Sequence, residues 1–600
     1  MDGWVGNILR VDLTQADYSV EPLDPDLAES FIGGRGLGTK LLFDEIDPEI
    51  DPLSPENKLI FATGVLSGTG VVASSRYMVV TKSPLTGAIA SPNSGGFFSA
   101  ELKFAGYDII IFEGKSPEPV YLSIENDDVQ IKPAKHLWGK SVSETEAMIK
   151  AETADEWKAK ETQVACIGPA GENLVRMACV MHSGHAAARN GTGAVMGSKN
   201  LKAVAVRGTK GISVADGDGL REAIVALLDT KVRGTKRYTD RVAYGTLTIP
   251  ENGQATGQLA TRNFQEGYFE GLELEWTKER WASEFRVGTH SCFACQFATH
   301  KVTRVTDPEY QGCGIGPEHE SFTALGPCCG ISNVAAIHKA NYECNELGMD
   351  TIDTGHSIAC AMDLYERGFL PEKDAGYKLN FGNAKAMVEL VESIGLRQGF
   401  GDILAEGGYR MAERYGHAEL FMGVKKQAFA VWHPQPDQSR GLAYATNNCG
   451  ASHTKGGGGL GNETEDVEAY VKRSQDWIAT LDSCGLCWSM WRGNPFTDED
   501  LPPLLELVTG ITYTLDDLLL IGERIWNLER IFNLKAGITA DDDTLPRRMS
   551  EEPMPKGPSA GAVSKISEML PEYYELRGWD KNGVPPPEKL AELSLTWEGD

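Results

Sequence analysis

The chain has 600 residues, 41% of them hydrophobic and 24% charged, and its 85 acidic against 57 basic side chains give a formal net charge of −28. The length leaves room for roughly three to four domain-sized units around a large buried centre. The charge opposes a nucleic-acid or anionic-membrane partner, and no apolar run approaches the ~18 residues of a membrane span.

Met1-Asp2-Gly3-Trp4-Val5-Gly6 leads straight into the strand-like stretch Asn7 to Leu13. No basic n-region or apolar h-region precedes it, so a cytoplasmic location is expected. Up to about Gly208 the sequence reads as short β runs broken by Gly, Pro, Ser and Asn, for example 59–64, 77–81 and 120–124. Gly34-Arg35-Gly36-Leu37-Gly38 has dinucleotide-loop glycines at the wrong spacing and is expected to be an ordinary turn. Gly197-Ser198-Lys199 has phosphate-loop letters in the wrong order, so neither is read as a nucleotide site.

After about Ala215 the period becomes helical, most clearly in Leu515, Leu518, Leu519, Ile521, Ile525, Trp526, Leu528, Ile531, Phe532 and Leu534. This helix is expected to open on Thr514, with Asp516 and Asp517 in its first turn, and to stop near Gly537. The Pro-, Gly- and acid-rich tail from about Asp541 is expected to wrap the surface irregularly.

Twelve cysteines are too sparse for a disulfide scaffold, so buried or metal-bound thiols are expected. Cys292-Phe293-Ala294-Cys295 sets two thiols at the spacing that aims both at one metal or cluster. Two buried free cysteines are the bland reading of such a pair. Later candidates are Cys313, the doublet Cys328-Cys329, and Cys484 with Cys487. Two distant segments, Asn345-Glu346-Leu347-Gly348-Met349-Asp350 and Asp482-Ser483-Cys484-Gly485-Leu486-Cys487, echo each other. A polar acceptor before a glycine turn lets the backbone approach a flat ligand, although two helix C-caps would give the same letters.

These echoes resemble the paired pterin-binding motifs, DxxGLD and DxxGLC, of the aldehyde ferredoxin oxidoreductase family. The likeness runs nearly end to end, through Arg76, Thr81 to Gly87, Asn93 to Gly96, Gly168 to Asn173, Gly193 to Lys202, Gly316 to Glu320 and Asp543 to Arg548. It implies an α+β fold, with a β-rich N-terminal saddle domain (1–208) followed by two mainly α-helical domains (209–415 and 416–600). It also implies a tungsten atom held by two pyranopterins, Mg2+ bridging their phosphates, and a 4Fe-4S cluster. By matching motifs, Asn345, Asp350, Asp482 and Leu486 are expected at the pterins, and Arg76 and Asn93 at the phosphates or magnesium.

The family's cluster motif, CxxCxxxC plus the cysteine of DxxGLC, is matched by Cys292, Cys295 and Cys487, but the third position is Thr299. Cys313 is the expected replacement and His300 the next. Glu320 and His453 match the family's acid–base pair near tungsten. Two departures flank them: His319 stands where Tyr is usual, and Cys449 where Arg is frequent. A direct tungsten–sulfur bond from the Cys328-Cys329 doublet, as in the benzoyl-CoA reductase branch, is weighed against a buried thiol.

The implied reaction is oxidation of an aldehyde to its acid, reversible in principle, with electrons leaving to ferredoxin or a partner iron–sulfur subunit. The strongly acidic chain favours a dedicated subunit over free ferredoxin, and an oligomer is left open. The alternatives are a benzoyl-CoA-reductase-like reductase of aromatic thioesters and an inactive cofactor-carrying assembly subunit.

Overall fold

The computed structural model describes the chain except residues 273–275, 460–465, 493–494 and 596–600. Strands Leu59–Thr63, Tyr77–Lys82 and Ile109–Glu113 are apolar at every second position on both faces. Leu59, Phe61, Tyr77, Val79, Ile110 and Phe112 enter one core, while Ile60, Ala62, Met78, Val80, Ile109 and Ile111 enter another. A sheet of such strands has to be covered on both sides.

That sheet runs Asp17–Pro22, Asn7–Asp12, Ile109–Glu113, Leu59–Thr63, Tyr77–Lys82, Ile89–Ala90, with Asn93–Ser94 also paired to Tyr77–Lys82. The second sheet runs Asp128–Pro133, Val120–Glu125, Leu201–Arg207, Gln163–Cys166, Val180–His182, His185–Ala187. Strand by strand the two share chain order and direction: an antiparallel hairpin, one parallel neighbour, then three antiparallel pairings. The first 207 residues are therefore a structural duplication. The sheets face each other across Leu9, Phe61, Phe98, Leu122, Ile167 and Val204. Helices Gly34–Glu45, Val467–Cys484 and Leu515–Lys535 cover the outer face of the first sheet, and Val142–Ala151 packs on the second.

The remainder is mainly helical, in agreement with the period read from sequence. Leu515–Lys535 starts at Thr514 in a capping box with Asp517, and Gly537 follows its end with φ 83°. No helix among the described residues is long and apolar enough to cross a membrane.

Three local expectations are corrected. Gly34 to Gly38 form the first turn of a buried helix, because glycine there lets the turn press against the Asp482 and Ser483 backbone. The tail contributes to the core, since helix Ile566–Leu576 buries Tyr573 and the following Arg577 donates to Asp476 and Gln475. A three-stranded sheet, Arg286–His290, His300–Val305 and Gly312–Ile315, interrupts the helical region.

Helices Val334–Leu347 and Val467–Cys484 both end in a left-handed glycine, Gly348 (φ 75°) and Gly485 (φ 79°). Each docks on an equivalent half of the β base. Cys179 N donates to Gly348 O (2.8 Å) and Asp350 N to Met177 O (2.9 Å); Arg76 N donates to Gly485 O and Cys487 N to Ala73 O, both at 3.0 Å. The base meets these ends with glycines of its own. A Cβ on Gly64 would lie 2.1 Å from Gly485 N, and one on Gly168 would lie 2.4 Å from the Leu347 carbonyl.

Neither Gly64 nor Gly168 has a positive φ, so substitution there fails by collision with rigid backbone. Gly64→Ala and Gly168→Ala are each expected to destabilise the protein by about 3 kcal/mol or more. Gly139→Ala, at φ 82° with no atom nearby, should cost only about 1–2 kcal/mol. Denaturant titration of the three variants checks the ranking.

Candidate active site and thiol group

The second echoed motif brings Asp482, fully buried, to the end of its helix. Its carboxylate accepts from Lys455 Nζ (2.7 Å) and Asn93 Nδ2 (3.1 Å), and Arg35 Nη1 stands 3.5 Å away. Arg35 is held by Glu529 through two 2.7 Å bonds. The first motif ends in Asp350, which caps helix Thr351–Glu366 through Ile352 N (2.9 Å). Arg189 Nε lies 3.4 Å from both Asp350 and Asp353, and its Nη2 donates to Ala451 O (3.0 Å). The adjoining Asn190 amide reaches Cys449 O (2.5 Å). Asn345 donates instead to Ile315 O (3.1 Å), and Leu486 is buried in the core beneath the second motif.

Glu320 and His453 meet, with His453 Nε2 3.6 Å from Glu320 Oε1. The Glu320 carboxylate also accepts from Val431 N (2.9 Å) and Trp432 Nε1 (3.0 Å), which fixes its orientation. Burial, helped by the Arg189 and Arg440 cations, lowers the His453 imidazole to about 3. It is therefore neutral at physiological pH. A proton on Nε2, facing Glu320, leaves Nδ1 with a free lone pair, and Nδ1 has no partner.

Arg440 lies beside this pair, its guanidinium 5.8 Å from the Trp432 ring centre and 5.7 Å from that of Tyr444. Its Nε and Nη1 are buried without partners. His319 is buried against Trp432, and burial lowers its imidazole to about 4.

On the other side of Arg76 is the thiol group. Ala73 joins its two arms, because its N–H donates to Ala294 O (2.9 Å) and its carbonyl accepts from Cys487 N (3.0 Å). Arg76 Nη2 is 3.4 Å from Cys487 Sγ. Burial would lower the Arg76 guanidinium, but the charges of Cys487, Cys292 and Cys295 hold it above its ordinary value. Burial and the other two thiols push Cys295 up to about 12. A Cβ at Gly95 would lie 2.9 Å from Cys292 Sγ and 3.3 Å from both Arg76 Nη1 and His185 Nδ1, so glycine permits their convergence. Among the described residues no three His, Cys, Asp or Glu side chains close on one ion. Cys292, Cys295 and Cys487 gather as a looser ring about Arg76, whose guanidinium feels all three.

Cys313 is not part of that ring. It is exposed and pairs with Arg304, four residues along the strand from His300, a displacement of about 13 Å. Cys328 Sγ is taken up by Ala260 O (3.3 Å) and His356 Nε2 (3.2 Å), and Cys329 Sγ by Ala324 O and Gly355 O, as expected of buried thiols. Cys449 Sγ is 3.5 Å from Ser91 Oγ.

Sequence reasoning missed Arg189, Arg440, Lys455, Trp432 and His185. Lys455, two residues beyond His453, was within reach of the motif; the others carry no local signal and are recognised only by burial and position.

The interior is charged and incompletely satisfied. Arg76 Nε, Ser94 Oγ, Arg189 Nη1, Asp350 Oδ2, His453 Nδ1 and two nitrogens of Arg440 are buried without hydrogen-bond partners. So many orphaned groups, both donors and acceptors, fit a large polar ligand with anionic parts seated between the β base and the two docked helix ends.

The fold and this site define a redox enzyme built around an enclosed cofactor, with thiols on its flank. The family description "Aldehyde ferredoxin oxidoreductase, N-terminal domain" matches residues 8–208, and "domains 2 & 3" of the same family matches 224–595. The chain belongs to the aldehyde ferredoxin oxidoreductase family.

It is 46% identical to a tungsten-containing aldehyde ferredoxin oxidoreductase of Pyrococcus abyssi, over 99% of both chains. It is 32% identical to the WOR-like subunit of an aliphatic sulfonate oxidoreductase of Pyrococcus furiosus, over 99% of this chain and 97% of that one. Among solved structures, the active-site complex BamBC of benzoyl coenzyme A reductase with 1,5-dienoyl-CoA superimposes with a TM-score of 0.85 at 27% identity, covering 99% of this chain and 97% of that one. The β-rich first region followed by helices agrees with the fold class expected from sequence.

Asp482 offers a direct test of the buried network. Asp482→Ala leaves Lys455 without its carboxylate in the interior, and the expected loss is about 3–5 kcal/mol. Asp482→Asn should lose less, because it still accepts one hydrogen bond. Thermal denaturation of the two variants distinguishes them.

Proposed function

We propose that this chain is the catalytic subunit of a tungsten-dependent aldehyde oxidoreductase, converting an aldehyde and water to a carboxylic acid with release of two electrons and two protons. The observation that carries the reading is the meeting of Glu320 with His453, brought from distant segments to 3.6 Å beside the buried Arg189 and Arg440 cations. The kinship with tungsten-containing aldehyde ferredoxin oxidoreductases over the whole chain favours this reading over thioester reduction or an inactive carrier. Retention of the acid–base pair argues the same way.

Asp482, Asn93, Lys455 and Arg76 would hold one pyranopterin; Asp350 and Arg189 would hold the other, with Mg2+ between phosphates. When bound, the tungsten supplies the two-electron sink. The chain's own contribution is orientation and proton transfer. Glu320, held by Val431 N and Trp432 Nε1, presents an oriented carboxylate as the proton acceptor, and neutral His453 offers Nδ1 as a hydrogen-bond acceptor that positions the substrate's hydroxyl. His319 packs on the edge of Trp432, and Arg440 lies over the Trp432 and Tyr444 rings, so apolar surface adjoins the pair.

Cys292, Cys295 and Cys487, beside Arg76, would hold a 4Fe-4S cluster, which when bound would supply a one-electron exit. The acceptor would be ferredoxin or an iron–sulfur subunit. Arg237 and Arg241 give this acidic chain local positive charge near Cys487, which suits an acidic carrier.

Glu320→Gln and His453→Ala are expected to lower kcat at least about 100-fold while leaving tungsten content unchanged. Metal analysis and aldehyde-dependent dye reduction on the same preparations check this. Full activity in either variant overturns the assignment of the pair; active protein lacking tungsten overturns the reading as a whole.

A further inference from the structure

The thiol ring has three members, and Thr299 stands where a fourth thiolate would complete it. We infer that His300, through Nδ1, is the fourth protein ligand of the iron–sulfur cluster. The inference rests on the reading that Cys292, Cys295 and Cys487 hold such a cluster.

Four observations converge on His300. It opens strand His300–Val305, one residue beyond Thr299. Its ring stacks on His185, with centres 3.9 Å apart and planes at 23°, and both nitrogens of His185 lie 3.8–3.9 Å from Cys292 Sγ. His300 therefore stands beside His185 at the Cys292 side of the thiol ring. Its Nε2 is 3.7 Å from Glu318 Oε1, and its Nδ1 is buried with no partner.

A neutral imidazole has one donor and one acceptor. With the proton on Nε2 facing Glu318, the lone pair on Nδ1 is left in the interior without a donor. A carboxylate 3.7 Å from one nitrogen, a charge contact without a direct hydrogen bond, leaves the other nitrogen free for a metal.

The neighbouring candidates serve less well. His185 touches the sulfur of Cys292 itself, so it flanks that corner of a cluster instead of completing another. His182 is already used at both nitrogens, Nδ1 against Val164 O (2.8 Å) and Nε2 accepting from Phe97 N (3.1 Å). His290 pairs with His300 at the strand ends, with its ring centre 5.6 Å from that of His185, and its Nε2 is also buried without a partner, but it stands nine residues before Thr299 instead of next to it. Cys313 is exposed and about 13 Å along the sheet.

Exchanging a thiolate for a neutral imidazole removes one negative charge from the cluster environment and raises its reduction potential, as His ligation does in other iron–sulfur centres.

The test uses tungsten-loaded holoenzyme, reduced with dithionite, and reads three quantities: iron per chain, 14N hyperfine coupling by pulsed electron paramagnetic resonance, and midpoint potential. Wild type is expected to hold about four irons and to show one strongly coupled nitrogen. His300→Cys should keep the iron, lose the nitrogen coupling and shift the potential downward. Thr299→Cys, which leaves His300 in place, should do the same by offering the missing thiolate. His185→Gln and Cys313→Ser should keep both the iron and the coupling. Loss of the coupling in His185→Gln with its survival in His300→Cys assigns the ligand to His185 and overturns the proposal. So does a full-iron wild type with no coupled nitrogen. Tungsten-loaded wild type without iron overturns the reading on which the proposal depends.

Discussion

The architecture depends on two contacts with no clearance. At Gly64 against Gly485, and at Gly168 against the Leu347 carbonyl, main chain from the helical region lies where any side chain on the base would be. Each contact is locked by two backbone hydrogen bonds, and each places a motif carboxylate, Asp482 or Asp350, at the rim of the same interior. Because the base is a duplication, one docking solution is used twice. Two equivalent helix ends are thus docked on the two halves of one base.

What fills that space electrostatically follows from the docking. Arg35, Glu529, Asp482 and Lys455 form one buried chain of charges, and Arg189 with Asp350 and Asp353 forms another. Burying ions costs several kcal/mol each unless they are paired and hydrogen-bonded. The pairing here is partial: Asp350 Oδ2 and Asp353 Oδ2 share the single Arg189 Nε at 3.4 Å, and Arg189 Nη1 has no partner. Such a network is poorly explained as a device for stability. It is well matched to a ligand that brings its own donors, acceptors and negative charge.

The same economy links the active site to the thiol group. Ala73 bonds both the Ala294 and Cys487 segments, and Arg76, three residues on, touches Cys487 while its backbone holds Gly485. One short stretch of the base thus fixes the second motif, the cysteine loop and their shared cation. The spacing of the second motif and the cysteine loop is thereby set by backbone hydrogen bonds.

Much of this was legible in the residues. The strands at 59–63, 77–82 and 120–125 and the Thr514 cap follow from local rules of period and capping, which act within a few residues and so appear in sequence. The echoed motifs were readable both as helix C-caps and as ligand-facing turns; the structure makes both true, because the left-handed glycine that ends each helix is also what lets it dock. Glu320 and His453 could be named from their motifs. Their distance could not, because it depends on how Val431-Trp432 and helix His319–Leu325 pack.

The duplication of the base was hidden, since a strand constrains only alternation and tolerates any apolar side chain. The tail was misread because proline and acid content hides a few deeply inserted groups such as Tyr573 and Arg577. Cys313 was read ahead of His300 because thiol chemistry is visible in a letter, whereas the pairing that leaves Cys313 exposed opposite Arg304 is decided by register. Residue type by itself determined the chemistry available to this protein; which groups share one interior was decided by two helix ends meeting two glycines, a constraint of backbone contact that no side chain in the sequence announces.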